Sequence, residues 1–216
     1  MTVVVDVPAP LSGRRAQAAR NDDTILDAAR EVFLADPSAP ISAVATRAKV
    51  GISALYRRYP SKEDLLRELA RDGLTRYLAD LELALADEGD PWTVYADCLN
   101  RVMEGRSQAL AQRVAGTFAP TPEMTALAIQ AGERGTALHE RTVAAGALRP
   151  DVTAADVVLL LEALMLVDLP GRDGGAALRR RYLALALQAL HAPAATELPG
   201  PPADSADLAA RWRSPS

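Results

Sequence analysis

Apolar residues recur at helical spacing through most of the chain, in blocks that proline, glycine and aspartate separate. The first block predicts a helix over residues 21–35. Asn21 is its expected N-cap, Asp22 and Asp23 lie in the first turn where carboxylates favour the helix dipole, and Asp36 marks its end. Its predicted buried stripe is Ile25, Ala28, Ala29, Val32 and Phe33.

Residues 41–62 predict two short helices joined by a tight turn. The first spans residues 42–48. The second begins near Gly51 and ends at Tyr59, because Pro60 disfavours further helix. Together with the preceding helix, this helix-turn-helix predicts a compact three-helix head that presents its third helix.

Further helices are predicted after the head. The first of them is about 27 residues and on the order of 40 Å long, which is longer than the head it follows. Gly146 is placed as a C-cap, and Thr153 and Asp156 have the spacing of a capping box. Gly132 and Gly135 either allow another helix to approach closely or soften their own helix. The predicted spans are residues 62–88, 92–109, 124–145, 154–169 and 176–190. The last of these helices is expected to expose the cluster Arg179–Arg181.

Composition supports an all-α fold, in which a long helix joins the N-terminal head to a C-terminal helical domain. Apolar residues make up 49% of the 216 residues and aromatic residues only 4%, which favours helix over sheet. Residues 1–19 are predicted to be a flexible arm, and the proline-rich residues 192–216 a disordered tail. Glu162 and Asp168 interrupt the longest apolar stretch, so no membrane span is predicted. A single cysteine, Cys98, and the lack of a secretory signal indicate a cytoplasmic protein.

Basic residues are concentrated in the predicted head. The net charge of the chain is −4, yet residues 1–80 carry 12 Lys and Arg against 11 Asp and Glu, whereas residues 81–216 carry 12 against 17. Between Asp36 and Glu63 there are five basic residues and no acidic one. This local excess is an electrostatic footprint for phosphate on an otherwise acidic body.

Residues 50–62, with the sequence VGISALYRRYPSK, resemble the signature of TetR-type transcriptional regulators. That pattern has a small residue and Gly before the helix, Leu and Tyr with a basic or aromatic pair within it, and an aromatic residue, Pro, Ser and Lys after it. The family's usual turn glycine is Lys49 here, so Lys49 is expected to take a positive φ at a cost on the order of 1 kcal/mol. The resemblance covers roughly residues 20–190 and is strongest over 41–66.

The resemblance implies a sequence-specific DNA-binding regulator, expected to be a repressor that a small-molecule ligand releases from its operator. It implies a DNA-binding domain over residues 20–66 and a ligand-binding and dimerisation domain over 67–191. The expected partners are a double-stranded DNA operator, an unidentified effector and a second copy of the chain, with no cofactor and no metal. The two last helices are expected to form the dimer interface, through Val158, Leu161, Glu162, Met165, Tyr182, Leu183 and Leu187.

If the second helix of the motif enters a major groove, its early residues face base edges and its later residues face the backbone. Ser53 can donate or accept a hydrogen bond, while Ile52 and Ala54 can pack on a thymine methyl group. By resemblance, Tyr56 and Arg58 match phosphate-contacting positions. Leu55 and Tyr59 are the residues predicted to face inward. The plainer alternative is that the basic side chains are ordinary solvated charges. The predicted DNA-binding set is Ser42, Lys49, Ile52, Ser53, Ala54, Tyr56, Arg57, Arg58 and Lys62.

A small-molecule pocket is implied among the central helices. For each candidate the alternative role is ordinary core packing. The candidate lining residues are Tyr77, Trp92, Tyr95, Cys98, Met103, Phe118, Gln130, Arg134 and His139.

No pattern in the chain predicts an enzyme. His139 and Glu140 begin a zinc-protease motif, but Val143 stands where its second histidine belongs. Cys98 and the two histidines, His139 and His191, lack metal-ligand spacing. The alternatives to an operator-binding regulator are a helical regulator that acts through a protein partner and a helical small-molecule-binding protein that binds no operator.

Overall fold

The computed structural model describes residues 13–36, 38–105, 118–167, 175–193, 196–204, 206 and 208. Helices make up the regular structure of these residues, and no β-strand occurs among them, so the predicted all-α fold is confirmed. The chain forms two compact units, Met1–Pro60 and Ser61–Ser216. None of the described helices combines the length and apolar character needed to cross a bilayer.

The first unit is a three-helix head. It consists of α1 (Gly13–Ala35), α2 (Ile41–Ala48) and α3 (Ile52–Arg58), and α2 packs against both other helices. The predicted helix-turn-helix is therefore confirmed. The buried apolar residues of the head include Ile25, Ala29, Phe33, Val44, Ala45 and Leu55.

The start of α1 differs from the prediction. The helix begins at Gly13, so Asn21 lies in its middle rather than at its N-cap. Residues 14–20 read RRAQAAR, and Arg, Ala and Gln are strong helix formers that extend a helix past a polar residue. The predicted arm over 1–19 is thus wrong for residues 13–19, while residues 1–12 lie outside the described part of the chain.

The second unit contains the other helices. They are α4 (Lys62–Ala86), α5 (Pro91–Gly105), α6 (Pro122–Ala144), α7 (Ala154–Met165) and α8 (Ala176–Leu190). Helix α4 packs against α5 and α6, α5 also contacts α6 and α8, and α7 contacts α6 and α8. The predicted helix over 92–109 ends at Gly105 in the described chain, and residues 106–117 lie outside it.

Local capping signals of the second unit are confirmed. The Ser61 hydroxyl accepts a hydrogen bond from the Asp64 amide at 3.0 Å and so caps the start of α4. Thr153 and Asp156 form both bonds of a capping box at the start of α7. Gly146 follows α6 with a φ of 70°, where a residue without a side chain is favoured.

The end of α7 and the environment of Arg179 differ from the prediction. Helix α7 ends at Met165 rather than at residue 169. Arg179 of α8 is only 4% exposed and donates from Nη1 to the Val167 carbonyl at 3.1 Å. Val167 lies two residues after the end of α7, so the guanidinium supplies a donor to a backbone carbonyl that follows the helix. The prediction of an exposed Arg179–Arg181 cluster was therefore wrong for Arg179, while Arg180 and Arg181 are exposed.

Part of the C-terminal segment is bound to the body of its unit. Residues 196–204 hydrogen-bond to residues 149–156, so the predicted disordered tail over 192–216 is wrong for this stretch. Side-chain groups of residues 149–156 hydrogen-bond to backbone groups of this stretch. The composition alone predicts that these backbone groups are solvated instead. The bonds join Arg149 Nη2 to Thr196 O (2.7 Å), Leu198 N to Asp151 Oδ2 (3.1 Å), Ala203 N to Asp156 Oδ1 (2.8 Å) and Thr153 Oγ1 to Ala203 O (2.9 Å).

The two interior glycines of α6 differ in their surroundings, which gives a test. Gly132→Ala is expected to raise the free energy of unfolding by about 0.5–1 kcal/mol, because glycine weakens a helix interior and nothing lies within 4 Å of an added Cβ. In Gly135→Ala the added Cβ would lie 3.2 Å from the Tyr77 hydroxyl oxygen. The gain in the free energy of unfolding should therefore be smaller or absent in this variant. Denaturant titration measures both; equal gains would argue against a tight approach at Gly135.

Candidate nucleic-acid interface

The turn between α2 and α3 is built on a residue in the left-handed conformation. Lys49 has φ 57° and ψ 37°, so its predicted positive φ is confirmed. Its amide donates to Thr46 O at 3.2 Å, and the Val50 amide donates to Ala45 O at 3.0 Å. These bonds close the end of α2 and set the direction in which α3 begins.

Helix α3 presents most of its side chains to solvent. Leu55 is its buried residue, with an exposure of 0%, and Tyr59 directly after the helix is 5% exposed. Both were predicted to face inward. Ala54 is half-buried, and the exposed residues are Ile52 (40%), Ser53, Tyr56 (48%), Arg57 and Arg58.

Three predicted DNA contacts lie outside α3. Ser42 is exposed in the first turn of α2, and Lys49 is exposed at the turn. Lys62 is half-buried and is the first residue of α4, in the second unit. The exposed residues of α2, the turn and α3 therefore form the candidate interface of the head.

Helix α1 supplies acidic partners to two arginines of the motif. Arg58 donates from Nε and Nη2 to the two carboxylate oxygens of Asp22, at 2.9 and 2.8 Å. Its guanidinium carbon lies 5.5 Å from the centroid of the Tyr59 ring. Arg47 forms an ion pair with Glu31. These pairs were not predicted from the sequence, because Asp22 and Glu31 lie in α1, outside the helix-turn-helix motif.

The ion pairs change the charge that the head presents. Residues 22–60 contain five basic and five acidic residues, so this part of the head is formally neutral. Lys49 and Arg57 are the basic residues for which no ion pair is described within 22–36 and 38–60. The positively charged surface of the head is therefore smaller than the five basic residues between Asp36 and Glu63 indicated.

The second unit contains a buried polar pair, Tyr95 and His139. The Tyr95 hydroxyl lies 3.1 Å from Nδ1 of His139, and Nε2 of His139 lies 2.8 Å from the Val152 carbonyl oxygen. A carbonyl oxygen only accepts, so Nε2 carries the hydrogen and Nδ1 accepts from the hydroxyl. Burial lowers the pKa of His139, which favours this neutral tautomer.

Further neutral side chains belong to the same core as Tyr95. Burial raises the pKa of Cys98 to about 11 and raises the pKa of the Tyr77 and Tyr95 phenols. The Cys98 thiol donates to the Asp80 carbonyl at 3.7 Å. Within the described residues, no group of three His, Cys, Asp or Glu side chains is placed to hold a metal ion. The cluster offers hydroxyl, thiol and imidazole groups without a formal charge.

The structure brings together only part of the predicted pocket. Tyr95, Cys98 and Met103 lie in one apolar core, and Tyr77 and Trp92 pack against it half-buried. His139 joins them through Tyr95. Phe118 is buried, with the Arg67 guanidinium 5.9 Å from its ring. Gln130 and Arg134 lie on the exposed side of α6 and are not part of the cluster.

The predicted dimer residues also separate into two groups. Leu161, Met165 and Leu183 belong to the core of their own unit, with exposures of 2%, 4% and 1%. They cannot present a surface to a second copy, so their predicted role is wrong. Val158, Glu162 and Leu187 are half-buried, and Tyr182 is exposed. The exposed large apolar residues of α7, the turn after it and α8 are Leu159, Leu166, Tyr182 and Leu185.

The buried histidine predicts a pH dependence of stability. Burial lowers the folded pKa of His139 below its ordinary value of 6.5, while Glu140 and Asp156 partly oppose this shift. The unfolded chain therefore takes up the proton first as the pH falls, so stability is complete above about pH 6.5 and is lost towards the folded pKa. The Tm of the wild type should fall more steeply between about pH 7 and pH 5 than the Tm of His139→Gln.

The exposed His191 provides the control for this prediction. The His191→Gln variant loses a histidine without touching the buried pair. If His139→Gln follows the same pH profile as the wild type and His191→Gln, the buried imidazole does not govern this part of the profile.

Comparison with known proteins shows which regulators the head is similar to. Residues 25–69 match the family model described as bacterial regulatory proteins of the tetR family. The match spans α2, the turn and α3 completely. The transcriptional repressor LfrR of Mycolicibacterium smegmatis is 38% identical over 100 residues, which are 46% of this chain and 49% of LfrR. Over these residues, the chain is similar to regulators of the TetR family. It thus spans about half the length of the curated relative that it matches.

Solved structures of TetR regulators extend the likeness beyond the head. The regulator SCO0520 of Streptomyces coelicolor is 27% identical, with 80% of this chain and 99% of that chain covered and a TM-score of 0.53. The regulator LfrR of Mycobacterium smegmatis in complex with proflavine is 25% identical, with 83% and 99% covered and a TM-score of 0.59. The helical second unit is therefore similar to that of TetR regulators as well.

Proposed function

We propose that this chain is a sequence-specific DNA-binding transcriptional regulator and acts as a repressor. The observation that carries the proposal is the exposed face of α2, the turn and α3, which lies within the part of the chain that matches the family. A short helix with exposed Ser, Tyr and Arg side chains suits a major groove, where early residues read bases and later ones meet phosphates. Such a regulator works in the cytoplasm, where a bacterial chromosome lies.

The contacts we assign follow the exposure of each residue. Ile52 and Ser53 are exposed in the first turn of α3 and are assigned to base edges, with half-buried Ala54 beside them. Tyr56 and Arg57 are exposed later in the helix and are assigned to the DNA backbone. Ser42 and Lys49 are assigned to the flanking backbone, as is Lys62 at the start of α4.

A second copy of the chain completes the proposed regulator. The exposed apolar residues Leu159, Leu166, Tyr182 and Leu185 of α7, its following turn and α8 support a dimer surface there. A two-fold dimer presents two heads to two half-sites about 34–36 Å apart, or a multiple of that distance. The operator is then expected to be an inverted repeat.

A small-molecule effector is proposed to bind the second unit. The neutral cluster around Tyr95 and His139 offers hydrogen-bonding groups within an apolar core, which is the character of small-molecule sites. The similar regulator LfrR was solved in complex with proflavine. A ligand that binds the DNA-free state better than the DNA-bound state shifts the population towards release.

Selection of bound fragments from the genomic DNA of the source organism tests the function. The expected result is enrichment of a few fragments that contain an inverted repeat, followed by retarded migration of those fragments in a gel. A screen of small molecules then seeks compounds that release the DNA. If no fragment is enriched and no duplex binds at low salt, the proposal fails, and a helical regulator that acts through a protein partner becomes the better account.

A further inference from the structure

The ion pair between Asp22 and Arg58 has a geometry that bears on DNA affinity. The two carboxylate oxygens of Asp22 accept from Nε and Nη2 of Arg58 at 2.9 and 2.8 Å. This is the two-bond arrangement in which a guanidinium also binds a phosphate. Arg58 lies at the end of α3, inside the candidate interface. A carboxylate of α1 therefore occupies donors that a DNA phosphate would otherwise take.

The exposure of the pair indicates that DNA can compete with Asp22. The Arg58 side chain is 56% exposed and the Asp22 side chain 27% exposed. Exposed ion pairs contribute little to stability and are screened by salt. The stability of the fold therefore does not depend on the pair, whereas the positive charge that the interface presents does depend on it.

We propose that Asp22 is a positioning residue that limits backbone affinity: it holds Arg58 against α1 and so lowers the sequence-independent attraction of the head for DNA. The inference rests on the proposed function. With Arg58 paired to Asp22, Arg47 to Glu31 and Arg30 to Asp27, Lys49 and Arg57 are the basic residues of 22–36 and 38–60 without a described ion pair. Weak backbone attraction raises the share of affinity that comes from base contacts, so it sharpens discrimination between sequences.

The test compares Asp22→Asn with its neighbour Asp23→Asn. Asp23 is exposed on the same helix, and both variants remove one negative charge. The probes are a random-sequence duplex of about 30 base pairs, roughly three helical turns, and the fragment selected with the wild type. Affinity is measured over a series of salt concentrations. Thermal unfolding confirms that each variant is folded.

Asp22→Asn is expected to bind the random duplex on the order of threefold to tenfold more tightly than Asp23→Asn does, with a salt slope steeper by about one phosphate contact. The gain for the selected fragment should be smaller, so the ratio of specific to nonspecific affinity falls. In an Arg58→Gln background, Asp22→Asn should no longer tighten binding relative to Arg58→Gln alone.

Several results would overturn the inference. Equal affinity and slope for the two asparagine variants would mean that Asp22 acts only as a general negative charge. Weaker binding by Asp22→Asn would mean that the carboxylate orients Arg58 towards DNA instead. If the wild type and all variants fail to bind any duplex, the proposed function itself fails, and this outcome is distinct from wild-type binding with an unaltered Asp22→Asn variant.

Discussion

Replacing Leu55 with alanine is expected to lower the free energy of unfolding of the head by about 2–5 kcal/mol, the usual cost of truncating a fully buried leucine. Leu55 has an exposure of 0% and is the buried residue of α3. A helix of 7 residues is too short to persist alone in water. Loss of this contact should therefore release α3 from the head and abolish DNA binding.

Ile52→Ala is the matched control for this variant. Ile52 lies in the same helix but is 40% exposed, so its truncation should change stability by less than about 0.5 kcal/mol. Denaturant titration, together with hydrogen exchange of the amides in α1, α2 and α3, measures both variants. Similar losses of stability would mean that Leu55 is not the anchor of α3. Ile52→Ala should instead weaken binding of the selected fragment, since Ile52 is assigned to a base edge.

Arg57→Ala is expected to weaken binding of the selected fragment by about 1–3 kcal/mol, or roughly fivefold to more than a hundredfold. Arg57 is exposed on α3, and no ion pair is described for it within the described head. Its charge is therefore available to DNA, in contrast to that of Arg58. Gel shift or fluorescence anisotropy on the selected fragment measures the loss.

The sequence dependence of this loss distinguishes two kinds of contact. A phosphate contact predicts a similar loss on every duplex and a salt slope reduced by about one, whereas a guanine contact predicts relaxed specificity at one position. Arg134→Ala, which removes the same charge from the exposed side of α6, serves as the control. An affinity for Arg57→Ala that equals that of the control would remove Arg57 from the interface.

Helical periodicity and local caps were predictable from the sequence, because both depend on residues within a few positions of each other. The capping box of Thr153 and Asp156, the positive φ of Lys49 and the span of α8 were all predicted and are confirmed. The start of α1 was missed because an N-cap signal at Asn21 competes with the helix formers before it, and the latter prevail.

The orientation of α7 and α8 was not predictable in the same way. Helix α7 is apolar on nearly every side, so periodicity cannot tell the side that packs on its own unit from the side that meets a second copy. Tertiary packing places Leu161 and Met165 in the core and leaves Leu159 and Leu166 exposed. The assignment of dimer residues changed accordingly.

By itself, the sequence determined that the chain is helical, that a helix-turn-helix lies at residues 41–62 and that Leu55 and Tyr59 face inward. It also placed five basic residues and no acidic residue within 41–62. Only the tertiary structure decided how much of that charge is available, because Asp22 is 36 residues from Arg58 in sequence yet 2.8 Å from it in the fold. Local structure follows from short-range sterics and hydrogen bonds, whereas the electrostatic character of a surface depends on groups that folding brings together.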